Sequence, residues 1–476
     1  MNAAMIPPEP LAAATASPAK EANVRIAFDH GTLIISGALP DWLLQWDGLA
    51  YDPRLELYRC EGMRYRDLIL LFKEKGAVLL DEARQYQSLT LSMRQERKPF
   101  PHQSESVEAW WQGGGRGLVV LPTGTGKTFV AMLAAAKCQR STLVVTPTID
   151  LMHQWRRELE LCFGTAIGQM GGGCQEIEPI TVSTYQSAHL QLEKWGGRFG
   201  LLVFDEAHHL PGPTFSSSAR GSIAPFRLGL TATPEKSETG LEAYQPLIGP
   251  LVYRREIPEL AGDFLAAYST ERIFVELSKE DKETYQAERR TYIDFCQENQ
   301  IAMGQPGSWQ RFIALCSRAP GGWKAFGAFR KQKRLAESHD GKIRVLGQLL
   351  ERHAGDRSIV FTSDNRTVYQ IAREFLIPPL THQTGPRERK ILLEGFASGR
   401  FPTLVTSRVL NEGVDVPQAA VGIVMSGTST VREHVQRLGR ILRKSGAKHA
   451  ILYELVTRGT SEEYASQRRR NHDAYR

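Results

Sequence analysis

The sequence predicts an α/β protein in which two parallel-sheet domains follow one another behind a small α+β domain. Three observations carry this. Short β-branched runs are each followed by turn residues and a helical stretch, the alternation that parallel sheets with crossover helices require. The theme occurs at 117–121, 142–145 and 201–204, and returns at 358–361, 403–405, 421–425 and 450–453. The first run opens into a glycine-rich loop, and the third ends in two acids.

The 476 residues leave room for about three domains at roughly 100–200 residues each. A hydrophobic fraction of 42% with 23% charged residues argues against a mostly disordered chain. No apolar run approaches the ~20 residues that span a bilayer, so no membrane partner is expected. The first twenty residues lack the basic start and apolar core of a secretory signal. Six cysteines with no C-x-x-C pair speak against a disulfide framework or zinc ribbon and for a reducing, cytoplasmic setting. The formal charge of +7 hints at a polyanionic partner.

Residues 1–22, rich in Ala, Pro and Ser, read as a disordered lead-in. Two short strands, 25–28 and 32–35, flank an Asp29-His30-Gly31 turn, and 67–75 reads as helix, so 23–95 forms the small domain. A polar run and then Pro99 and Pro101 mark its end. The first α/β domain is placed at 96–250, the second at 251–460, and a basic tail at 461–476. Residues 279–340 interrupt the second domain with a charged helical stretch. They end in a basic segment, Lys324, Arg330, Lys331, Lys333 and Arg334, interleaved with Trp323, Phe326 and Phe329. Two readings stay open: a solvated helix whose aromatics face a core, or an element whose cations meet phosphates and whose rings stack on bases.

Leu121-Pro122-Thr123-Gly124-Thr125-Gly126-Lys127-Thr128 lies between a strand and a helix. There the backbone amides of a glycine loop, at a helix N-terminus, can curl around phosphate oxygens. Lys127 is expected on the β/γ-phosphates and Thr128 on Mg²⁺. Position 121, glycine in the strict pattern, is Leu. Asp205 and Glu206 follow four apolar residues, where a second nucleotide-site acid belongs. Asp205 would hold the magnesium shell, and Glu206 would orient or deprotonate the attacking water. ATP and Mg²⁺ are therefore the expected cofactors. Arg440 and Arg443, on a helix-like basic stretch, are candidates for positive charge against the γ-phosphate.

In order, these motifs resemble superfamily 2 helicases over residues about 99–460. Gln103 fits that family's adenine-reading glutamine, and 121–128 fits motif I. Thr146-Pro147-Thr148 and Val182-Ser183-Thr184-Tyr185 resemble motifs Ia and Ib, and Asp205-Glu206-Ala207-His208 is a DEAH box. Thr231-Ala232-Thr233 resembles motif III, Phe361-Thr362-Ser363 motif IV, 406–417 motif V and 436–443 motif VI. The resemblance implies nucleotide contacts from Thr123, Gly124, Thr125, Gly126, Gly413 and Asp415. It implies nucleic-acid contacts from Thr146, Ser183, Thr184, Thr362 and Thr406, joined by Lys331, Lys333 and Arg334. His208, Thr231, Thr233 and Gln436 would couple hydrolysis to movement.

The stretches 204–211, 223–233, 436–443 and 453–460 are similar to the XPB family in its short archaeal and bacterial form. That likeness implies two RecA-like domains, a damage-recognition-like domain and a thumb-like insertion at 279–340. It also implies 3′→5′ action on single-stranded or forked DNA, a role in DNA repair, and a nuclease partner. The family's Arg-Glu-Asp motif is matched here by Lys236-Ser237-Glu238, which loses the central charge. A duplex translocase that does not separate strands, and an RNA helicase, are the alternatives.

Overall fold

The computed structural model describes residues 24–94, 97–234, 238–305, 307–407, 419–426 and 449–470. The lead-in, Lys236 and Ser237, Gly413, Asp415, Gln436, Arg440 and Arg443 lie outside the described residues. The chain divides after Glu256 into two compact units.

The first unit begins with a five-stranded sheet in the order β3-β4-β2-β1-β5. Its strands are β1 (Val24–Asp29), β2 (Thr32–Gly37), β3 (Ala50–Asp52), β4 (Leu57–Glu61) and β5 (Leu79–Asp81). His30 and Gly31, both at positive φ, close β1 onto β2 by the two-residue turn whose twist suits a hairpin. Val24, Ile26, Leu33 and Ile35 alternate inward, and the helix Tyr65–Glu74 lays Tyr65, Leu68 and Phe72 on them. Ile223, far along the chain, joins this core. Arg66 donates to the carbonyls of Gly114 and Pro225 at 2.6 and 3.2 Å. These bonds fasten the small domain to the parallel-sheet domain behind it. Residues 85–94 run across the next sheet as a strap, with backbone bonds to Gly197, Gln139 and Cys162.

The second sheet holds eight strands in the order β13-β6-β12-β11-β7-β10-β8-β9. They are β6 (Arg116–Val120), β7 (Thr142–Thr146), β8 (Gly168–Gly171), β9 (Cys174–Glu176), β10 (Ile180–Thr184), β11 (Leu201–Asp205), β12 (Phe226–Thr231) and β13 (Leu251–Arg254). All neighbours pair parallel except β8 with β9. Helices cover both faces, so β7, β10 and β11 are buried at every position, and β7 and β11 read as apolar runs. The boundary expected at 251 is corrected by β13, which pairs with β6 from Leu251↔Leu118 to Arg254↔Val120 and so closes the first sheet. Its half-exposed edge position hides it from a reading based on buried runs.

The second unit carries an all-parallel sheet in the order β14-β19-β18-β15-β17-β16. Its strands are β14 (Ala267–Val275), β15 (Ser358–Phe361), β16 (Pro379–Leu380), β17 (Thr403–Thr406), β18 (Val421–Val424) and β19 (His449–Thr457). Between β14 and β15 the helices Lys279–Glu298, Ser308–Cys316 and Gly322–Ser338 form the insertion. They pack around their own small core of Phe295, Phe312, Cys316 and Ala325.

Arg227, fully buried in β12, pins the second sheet together. Its guanidinium donates to the carbonyls of Ala219, Ser222, Ala224 and Leu247 at 2.7–3.1 Å. These acceptors lie on the segments before β12 and before β13. Arg227→Leu leaves all four carbonyls buried without that donor, so the first unit should lose about 3 kcal/mol of stability. Urea unfolding followed by circular dichroism checks this.

Candidate nucleotide site and nucleic-acid face

Because β6, β7, β10, β11 and β12 run parallel, their carboxyl ends lie along one edge, where open α/β sheets bind ligands. The phosphate loop leaves β6 on this edge, and the amide of Leu121 donates to Thr231 O at the end of β12. Gly124 and Gly126 take φ of +91° and +83°, so the loop can turn into the helix Lys127–Cys138. A Cβ on Gly126 would stand 2.5 Å from Gln103 Nε2. The Thr125 hydroxyl donates to Pro122 O at 2.8 Å. The Lys127 ammonium folds over the loop onto Leu121 O and Pro122 O at 3.3 and 3.4 Å. Thr128 follows on the first turn, half-buried.

Gln103 is fully buried beneath the loop, donating from Nε2 to Thr125 O at 2.8 Å and accepting from the Phe100 amide at 3.0 Å. His102 Nε2 lies 3.1 Å from the same Thr125 oxygen. The Gln103 amide thus braces the loop through backbone, and it keeps one N–H and one lone pair beyond these two bonds.

Asp205 ends β11, and both its oxygens are engaged. Oδ1 accepts the Glu206 amide at 3.0 Å and Oδ2 accepts the Trp155 indole N–H at 2.8 Å. Burial and the neighbouring Glu206 carboxylate raise its pKa, against the pull of Lys127. A pair of acids held in this way suits a divalent cation. Glu206 holds a left-handed backbone at φ 47°, ψ 53°, a strained state for a residue with a Cβ. Among the described residues its Oε2 is buried with no hydrogen-bond donor, and it stands 3.5 Å from His208 Nδ1. The hydroxyl of Thr123, in the loop, is likewise buried and unbonded. These two orphaned polar atoms and the acid pair fit a magnesium nucleotide, whose phosphates and water would satisfy them. His208 Nδ1 also lies 3.2 Å from Thr231 Oγ1, which accepts the Thr233 amide at 3.2 Å. The expected coupling residues in this unit thus form one chain of contacts starting at Glu206.

The residues expected to touch nucleic acid are placed differently. Thr146 and Ser183 are fully buried, with hydroxyls turned to the carbonyls of Thr148 and Ser183 and of Met170 and Thr184. Thr184, also buried, caps the helix Tyr185–Trp195. In the second unit Thr362 is fully buried and bonds to Asp364 O and Thr406 O, and Thr406 bonds to Ser407 O. These hydroxyls shape turns instead of facing outward. A buried strand end has every polar group committed to backbone, and a motif read in sequence does not show that commitment.

On the insertion, the rings and the cations lie in different surroundings. Phe326 and Phe329 pack against its core, whereas Trp323 is 73% exposed. Lys331, Lys333 and Arg334 are exposed. Lys331 pairs with Glu288 at 2.8 Å and Lys333 with Glu337 at 3.8 Å. A groove of about 970 Å³ runs between this helix and the turn after β15, lined among others by Arg330, Lys333, Arg334, Ser363 and Arg366. The Ser363 hydroxyl donates to Glu337 across its base at 2.8 Å. Burial pushes the Glu337 carboxyl up to about 6. Sequence reasoning missed Glu337 and Trp155, and named Tyr185 only within motif Ib. For Trp155 a signal existed, since a buried indole N–H needs an acceptor, but no spacing names that acceptor.

Three family profiles match the chain. The Xeroderma pigmentosum group B helicase damage recognition domain matches residues 26–83. The res subunit of type III restriction enzymes matches 96–236, and the helicase conserved C-terminal domain matches 341–445. The chain is 38% identical over 424 residues to a DNA 3'-5' translocase XPB2 of Sulfurisphaera tokodaii, an alignment covering 89% of this chain and 96% of the relative. The chain belongs to the XPB family. An XPB DNA 3'-5' helicase of Kineococcus radiotolerans is 32% identical over 385 residues, and there the match spans 78% of this chain and 62% of the relative. Among solved structures, the Hef helicase domain of Pyrococcus furiosus superposes with a TM-score of 0.54 at 20% identity, over 78% of this chain and 98% of that one. That likeness carries the fold alone: the two parallel sheets are a RecA-like pair. Among the described residues no helix is long and apolar enough to cross a membrane.

If Gln103 acts as the brace described for this XPB-family loop, Gln103→Ala should weaken ATP and GTP binding alike, by about tenfold for the roughly 1.5 kcal/mol of bonds removed. Titration with fluorescent analogues of both nucleotides checks it. A selective loss of ATP would instead mark Gln103 as the adenine reader.

Proposed function

We propose that the chain is an ATP-dependent DNA translocase with 3′→5′ polarity that remodels DNA in repair. The observation that carries this is the gathering of Lys127, Thr128, Asp205, Glu206 and the His208–Thr231 contact on one sheet edge of an XPB-family chain. Lys127 exchanges its loop carbonyls for β- and γ-phosphate oxygens, while the amides of 123–126 cradle the same phosphates. Thr128 and Asp205 hold the magnesium shell, which when bound neutralises charge on the transferring phosphate. The buried Glu206 Oε2 accepts the proton of the attacking water. Movement of that carboxylate is felt at His208 and passed through Thr231 to the Thr233 amide. Arg440 and Arg443, with Gly413 and Asp415, are assigned to the nucleotide, and Gln436 to coupling, on the strength of their motifs.

In the first unit DNA is met at the turns that Thr146, Ser183 and Thr184 shape, and in the second at those that Thr362 and Thr406 shape, with phosphates taken by backbone amides at the helix starts. Arg334 and its neighbours on the insertion add cationic contacts. Translocation without strand separation is favoured over unwinding by Lys236-Ser237-Glu238, which lacks the family's central acid. DNA is favoured over RNA by the family.

Lys127→Ala should lower ATP turnover by at least about a hundredfold while leaving most of the DNA affinity. Turnover at the wild-type rate in that variant contradicts the site. Triplex displacement beside fork unwinding separates the two modes of action: displacement without unwinding is expected. Charge reversal at Arg334 should weaken DNA binding and flatten its salt dependence by about 0.9 for each phosphate it no longer neutralises. The same change at Lys331 or Lys333 should do less, because Glu288 and Glu337 already draw on those charges. Fluorescence anisotropy over a salt series reads all three.

A further inference from the structure

Two aromatic donors converge on Asp205 from helices that the hydrolytic chemistry does not use. Trp155 is 1% exposed and gives its indole N–H to Oδ2 at 2.8 Å. Tyr185 is 2% exposed and gives its hydroxyl to the Asp205 backbone oxygen at 3.0 Å. Trp155 lies two turns into the helix Ile149–Phe163, which starts at Thr148. Tyr185 is the first residue of the helix that starts at Thr184. Both helices therefore begin at turns of the face assigned to DNA, and both end their reach on the acid assigned to magnesium. With Oδ1 held by the Glu206 amide, the Trp155 bond fixes the second oxygen and so the rotamer of the carboxylate. Each oxygen keeps a further lone pair for water or metal.

We infer that Trp155 is a positioning residue for the magnesium–nucleotide step, and that through it the placement of Asp205 depends on whether DNA occupies the turn at Thr146–Thr148. The inference rests on the nucleotide and DNA sites proposed above. Its physical logic is that of outer-shell donors at metal sites, which orient a ligand without touching the metal. A shift of the Ile149–Phe163 helix moves the indole, and the carboxylate follows its hydrogen bond.

Trp155→Phe removes the donor and keeps a ring, while Trp155→His keeps a ring N–H in similar reach. The readouts are the affinity for fluorescent ATP in EDTA and in magnesium, and ATP turnover with and without DNA, all well below the melting point of each variant. Trp155→Phe should bind nucleotide in EDTA like the wild type, lose about tenfold of the magnesium-dependent gain, and lose most of the DNA stimulation. Trp155→His should recover both. If the two variants behave alike, whether both keep or both lose the gain, the role of Trp155 is packing and the inference is overturned. Should Trp155→Phe prevent folding, Trp155→Met replaces it as the donor-free variant. A wild-type chain without magnesium-dependent nucleotide binding would instead overturn the site itself.

Discussion

The parallel sheet of the first unit is the constraint from which the site follows. Strands that run the same way must end on the same edge, so residues separated along the chain meet there without any loop having to travel. The phosphate loop after β6, Thr146 at the end of β7, Thr184 at the end of β10, Asp205 at the end of β11 and Thr231 at the end of β12 share that edge. The cost is that the central strands are buried on both faces, and each polar group at their ends must find a partner in place. Arg227 shows how far this goes, satisfying four carbonyls from within β12.

The two units solve one local problem with one device. In the first, the Thr146 hydroxyl bonds to the carbonyl two residues on and to Ser183 O at the neighbouring strand end, and Thr148 caps the next helix. In the second, Thr362 bonds to Asp364 O and Thr406 O, and Asp364 caps the next helix. A threonine at the strand end thus sets the angle at which a helix N-terminus is presented. The amides at that terminus, and not the threonine hydroxyl, are then the groups left to meet a phosphate. Strain is kept where the chemistry is: Glu206 holds a left-handed backbone beside the buried Asp205.

Most of the architecture was legible in sequence because buried parallel strands write themselves as apolar runs, and 117–121, 142–145 and 201–204 each coincide with a strand to within a residue. The phosphate loop and the acid pair were legible because few residue types can do their work. Edge strands were not, since β13 and β9 are short and half-exposed and follow no period. Nor was the direction of a side chain. Thr146, Ser183, Thr362 and Thr406 carry the right motifs and point into the protein, and Gln103, expected to read adenine, bonds to the backbone of the loop. Trp155 reaches Asp205 across fifty positions, a contact that only the tertiary fold defines.

The central claim is that hydrolysis at this edge is governed by DNA. It is tested most directly by the ATP turnover of the intact wild-type chain with single-stranded DNA, duplex DNA, a fork and RNA of the same sequence. Stimulation by DNA of about tenfold or more, with little from RNA, is the result the account predicts. Turnover that DNA leaves unchanged, or that RNA raises equally, would contradict it.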